Sequence, residues 1–216
     1  MTMLYNITEN LQRATSGANK YMDVGIHENC EMTNVEYKVT DKGNEFLAFY
    51  FVNSDNEQLC HTEWKVREAK PLDTMSEKDA ASYLKRIDEQ AARIHAIVTT
   101  FIPKEKFEAI TANTFEEFSK ATIAILGESY KGRKIRIKVI YDLRNFTAFP
   151  RYTNYTWIEL MSTPKELSTI KIYSTDKMTK KIMAKTEGAD NEVNVIEAAA
   201  INPVSEVDTL PWEAAA

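Results

Sequence analysis

The 216-residue sequence predicts a mainly β fold with an α insertion, in which two helices separate a group of three strands from a final pair. Three observations predict it. Gly25 to Val66 reads as three apolar, strand-like segments divided by turn residues. The apolar period changes to that of a helix between Ser76 and Gly127, and returns to strict two-residue alternation at Ile135, Ile137 and Val139.

Residues 1–20 are a polar lead-in with little to bury. In the first strand, Cys30 and Met32 share one alternation phase, whereas Val35, Tyr37 and Val39 share the other. Such a slip predicts a β-bulge that bends one strand into two sheets. Asp41 to Asn44 is a turn, Phe46 to Val52 a second strand, Asn53 to Asn56 a second turn, and Leu59 to Val66 a third strand. Both faces of the second strand are apolar. The face of Phe46, Ala48 and Tyr50 is expected to be the open one, because a phenol tolerates water.

The insertion spans 76–127. Ser76 caps a helix carrying Ala80, Leu84, Ile87, Ala91, Ile94, Val98 and Phe101 at helical spacing, which Pro103 is expected to end. Thr114 and Glu117 form a capping box for a second helix with Phe118, Thr122, Ile125 and Leu126, closed by Gly127. A basic strand, 133–141, and a last strand, 156–161, follow. Five strands with helical material between the third and fourth is the order of an OB-fold, a small Greek-key barrel that binds oligonucleotides. The folded domain is expected over 21–173, and 174–216 as linker and disordered acidic tail.

No apolar run approaches the length of a membrane span, and the N-terminus lacks a secretory pattern. Cys30 and Cys60 offer no disulfide framework, so a reducing, cytoplasmic setting is expected. The net charge of -5 is unevenly placed, because seven acids and no Lys or Arg fall between Glu187 and Ala216. The remaining chain carries 27 basic and 25 acidic residues, a net charge of +2 that leaves room for a basic patch.

Residues 131–157 supply that patch, with seven cations and six aromatic rings against one acid, Asp142. Cations beside stacking rings are what an unpaired polynucleotide requires. Lys131, Arg133, Lys134, Arg136, Lys138 and Arg151 are expected at phosphates, and Phe146, Phe149, Tyr152 and Tyr155 at bases, joined by Tyr50 and Trp64 from the second and third strands. Trp157 is expected in the core.

Gly25 to Asn29, Lys42-Gly43, Phe46-Leu47, Phe49, Thr62-Glu63-Trp64 and Phe101-Ile102-Pro103 resemble the single-stranded DNA-binding proteins of tailed bacteriophages, as do Tyr130 to Lys138, Phe149 to Tyr152 and Trp157 to Glu159. The resemblance covers residues 25–159. It implies an OB-fold, sequence-tolerant binding of single strands in phage DNA replication or recombination within an infected bacterium, and neither catalysis nor a cofactor. Separately, Asp208, Leu210, Pro211 and Trp212 resemble the acidic tips of bacterial single-stranded DNA-binding proteins, although Glu213 and three alanines follow Trp212 here. That resemblance implies docking of replication or recombination proteins on the tail.

Other readings are weaker. His27, Cys30, Cys60 and His61 have poor zinc spacing, since adjacent strand residues point to opposite faces. Asp55, Glu63 and Lys65 resemble the D…ExK core of metal-dependent nucleases, but Asp55 falls in a turn. A third alternative is a protein-interaction module that uses the same aromatics and binds no nucleic acid.

Overall fold

Strand β1, Gly25–Val39, organises the sheet by changing partner part-way along its length. In the computed structural model, which describes residues 20–68 and 70–180, its first half pairs with β4, Ile135–Tyr141, from Gly25↔Val139 to Cys30↔Ile135. Its second half pairs with β2, Glu45–Val52, from Glu31↔Val52 to Val39↔Glu45. The register shifts between His27 and Cys30, where Asn29 takes φ 58°, and again between Met32 and Asn34. The second shift lies where the apolar phase slips. Two bulges therefore let one continuous strand serve two partners.

β2 pairs with β3, Gln58–Trp64, and β4 pairs with both β5, Thr147–Ala148, and β6, Ile158–Leu160. All these pairings are antiparallel, and the strand order is β3-β2-β1-β4-β5 with β6 also on β4. The sequence reading expected one final strand, whereas two short ones flank the Pro150-containing loop.

Between β3 and β4 lie α1, Glu77–Val98, the short α2, Lys104–Glu108, and α3, Phe115–Leu126. The Ser76 and Thr114 side chains accept from the third backbone N–H of their helices, as their spacing predicts. Gly127 then takes φ 49°, a conformation that favours glycine, and stops α3. Pro103 does not end α1. That helix stops at Val98, and Pro103 instead precedes α2, where its fixed φ suits a helix start.

The core is the inner face of the sheet (Leu47, Phe49, Phe51, Ile135, Ile137 and Val139), packed against Ile94, Ile97 and Val98 of α1 and Leu126 of α3. All the buried residues of α1 lie in its C-terminal half. The expected limit of the folded body at residue 173 is too short. Residues 164–180 form a strap along β4, on which the Tyr141 N–H donates to the Lys177 carbonyl and Asp176 is buried. The lead-in over residues 1–19 and the tail, including Asp208, Leu210, Pro211 and Trp212, lie outside the described residues. Among the described residues no helix is long and apolar enough to cross a membrane.

Candidate nucleic-acid interface

The basic strand folds with the expected alternation, but its outer cations are not a free row. Ile135, Ile137 and Val139 are core. Arg136 is only 4% exposed. Its Nε donates to Glu28 at 3.1 Å and its Nη1 to Glu159, which faces it across the β4–β6 ladder. Burial disfavours the guanidinium charge, and the two carboxylates more than restore it, raising its pKa.

Lys138 is fully buried. Its ammonium donates to the Lys171 carbonyl at 2.6 Å and to Asp176 at 2.8 Å, and lies 4.9 and 4.5 Å from the ring centres of Tyr152 and Tyr173. Asp176 also accepts from the Tyr152 hydroxyl at 3.0 Å and the Tyr173 N–H at 2.8 Å. Burial first, and then this carboxylate, push the Tyr152 phenol above its ordinary value. Arg136 and Lys138 are therefore internal ion pairs rather than phosphate contacts, because acids distant in sequence cover them.

Phe149 is likewise core. It is 2% exposed and its ring packs 5.0 Å from Phe51, 5.1 Å from His61 and 4.7 Å from Trp157. So little of the ring is exposed that no base can stack there. Tyr152 is half-buried and its hydroxyl is engaged. Lys131, Arg133, Lys134 and Arg151 are exposed, with Lys131 paired to Glu128 and Lys134 to Glu31. Phe146 projects from the β4–β5 hairpin at 56% exposure. The Asp142 carboxylate shapes that turn by accepting from the Arg144 and Phe146 N–H groups, each at 2.8 Å. Tyr155 is 47% exposed.

The open aromatic surface lies elsewhere, on the outer face of β1, β2 and β3. The register aligns Lys38, Phe46 and Trp64 in one row and Asn34, Tyr50 and Cys60 in another, with Glu36, Ala48 and Thr62 between them. Phe46 and Trp64 form an offset pair with centres 4.5 Å apart and planes 38° apart. Tyr50 follows on the same face about 13 Å along the strand, and Lys38 reaches its hydroxyl at 3.4 Å. Burial, then Glu36, push the Tyr50 phenol up to about 12, so it stays protonated at neutral pH. All three rings are half-buried, whereas Leu47, Phe49 and Phe51 on the opposite face are enclosed. The Tyr50-bearing face is thus the open one, as its hydroxyl suggests.

Sequence reasoning put Phe46 on the open face without naming it as a ligand contact, and missed Lys38. The available signal was register: once β1, β2 and β3 are taken as a meander, both fall in one row with Trp64.

The end of β3 is held rigidly from inside. Glu63 accepts two hydrogen bonds from Arg93 of α1, at 2.7 and 2.9 Å, and lies 3.1 Å from His61 Nε2, while Gln90 donates to the Trp64 carbonyl at 2.6 Å. Burial would raise the Glu63 carboxyl, but the Arg93 and His61 contacts outweigh it and hold its pKa at about 2. Arg93 is therefore committed to Glu63.

The nuclease triple does not converge. Asp55 is exposed in its turn, Glu63 is committed to Arg93, and Lys65 pairs with Glu45 at 2.5 Å. Cys60 is exposed on the outer face while His61 and Cys30 are buried. Among the described residues no group of three or more His, Cys, Asp or Glu could hold a metal ion. Compared with known families and curated proteins, the chain matches no family model and no curated protein.

Proposed function

We propose that this chain binds single-stranded nucleic acid, without catalysis, across the outer face of β1, β2 and β3. The observation that carries the reading is the Phe46–Trp64 pair, two rings in contact at 4.5 Å that, among the described residues, both keep part of their surface open. With Tyr50 on the same face and the Lys38 ammonium reaching toward it from the Phe46 row, it offers stacking surface beside a cation. Stacking on π-faces is tolerant of base identity, so binding without strong sequence preference follows.

The OB-fold reading is supported by the strand order β3-β2-β1-β4-β5, by a first strand shared between two partners, and by Phe149, just after β5, packing on Phe51 and His61. In such barrels the second and third strands carry the oligonucleotide. The resemblance to phage single-stranded DNA-binding proteins favours DNA replication or recombination as the setting, with the acidic tail available to other proteins of that process.

Anisotropy of a labelled oligo-dT, titrated with the full chain and with Phe46→Ala/Trp64→Ala, tests the assignment. Saturable binding that the double substitution abolishes is expected. Unchanged affinity in the folded variant would remove this face from the interface, and no binding by the full chain at moderate salt would leave the protein-interaction alternative.

A further inference from the structure

A second concavity, away from the Phe46–Trp64 pair, lies between the C-terminal turn of α1 and the loop and strand that follow Tyr152. It is a groove of about 460 Å³, within the range of small-ligand sites. Tyr155 and Trp157 line one part of it, with Asn154 in the same loop, and Thr99 and Thr100 line the α1 side.

Its chemistry is neutral and two-sided. Thr99 and Thr100 each donate a hydroxyl hydrogen to a carbonyl of their own helix, at 2.8 Å to His95 and 2.9 Å to Ala96, so their oxygens remain as acceptors. The Asn154 amide offers both donor and acceptor. None of the lining residues is Lys or Arg, and the carboxylate of Glu159 is held by Arg136. Nothing there would attract a phosphate.

One wall is an unfinished ring stack. Tyr155 packs against Tyr173 at 4.3 Å with planes 31° apart, yet Tyr173 does not line the groove. Tyr152 also meets the Tyr155 ring, at 5.6 Å and near right angles, and Tyr155 still keeps 47% of its surface exposed beside the groove. The loop is pinned beneath it, because the buried Trp157 donates from Nε1 to the Tyr152 carbonyl at 3.1 Å.

We infer that this groove receives one unpaired nucleobase, lying on Tyr155 with its polar edge toward the threonine and asparagine groups. The inference rests on the nucleic-acid reading and adds a base subsite separate from the strand face. A planar aromatic with mixed donors and acceptors at its edge and no charge is what these walls match.

Trp157 provides a local reporter. In a Trp64→Phe/Trp212→Phe chain, its emission should change on addition of oligo-dT and not on addition of an abasic oligomer of equal length. Tyr155→Ala should abolish that response and weaken oligo-dT binding about five-fold or more. Anisotropy of labelled oligo-dT is read in parallel with that same Trp64→Phe/Trp212→Phe chain and with the native one. Binding by anisotropy with silent Trp157 emission would overturn the groove while leaving the strand face intact. Equal responses to the abasic oligomer would overturn it in favour of a sugar or phosphate contact. Failure of both signals would remove the nucleic-acid reading itself.

Discussion

The Lys138 ammonium lies 2.8 Å from the Asp176 carboxylate, and neither side chain reaches solvent. The contact joins the middle of β4 to the strap that follows the last strand. Removing one member of such a buried pair leaves an uncompensated charge.

Asp176→Ala should accordingly destabilise the protein by about 3–5 kcal/mol. Urea denaturation checks this, and adding Lys138→Met should recover most of the loss, because the stranded charge goes with it. An Asp176→Ala midpoint equal to that of the native chain would show that the strap is not held by this pair.

Two phenylalanines separate stability from binding. Phe149→Ala should cost about 3–5 kcal/mol of folding stability through the cavity it leaves. Phe46→Ala should leave the denaturation midpoint nearly unchanged and weaken oligo-dT binding by about 1–3 kcal/mol. The reverse pattern would return Phe149 to the ligand surface.

The Glu63–Arg93 clasp predicts a pH dependence of known sign. The Glu63 carboxyl is held at about 2, below its ordinary 4.5, so the unfolded chain binds the proton more readily. The stabilisation is complete above the unfolded value and is lost as pH falls toward 2. Between pH 5 and pH 3 the contribution should shrink by about 2 kcal/mol. Glu63→Gln, less stable throughout, should lack that part of the slope when urea midpoints are compared. Identical slopes would place the titration in another group.

Salt dependence should be shallow. Arg136 and Lys138 are buried, and Lys38, Lys131 and Lys134 already face carboxylates. With about three phosphate contacts, log K against log salt should fall with a slope near −2. A slope steeper than about −5 would mean that the internal ion pairs open to the ligand.

What the sequence could show followed from local periodicity. The phase slip between Met32 and Val35 located a bulge, Ser76 and Thr114 located two helix starts, and alternation from Ile135 to Val139 gave the correct inner face. The outer face of β4 was illegible for a different reason. Whether Arg136 and Lys138 meet phosphate or carboxylate depends on Glu28, Glu159 and Asp176, and no periodicity links a strand cation to an acid that the chain brings back later. Phe149 was misread through its neighbours. A Pro- and Asn-rich context marks a loop, and loops are usually at the surface, but here the loop's first ring is turned inward.

The late position of Asp176 also bears on how the molecule is made. Chains emerge from the ribosome N-terminus first. β4 is complete before its counter-ion has been translated, so Lys138 has only water to meet its charge until the strap arrives. Covering of Lys138 is thereby timed to the end of synthesis of the described body.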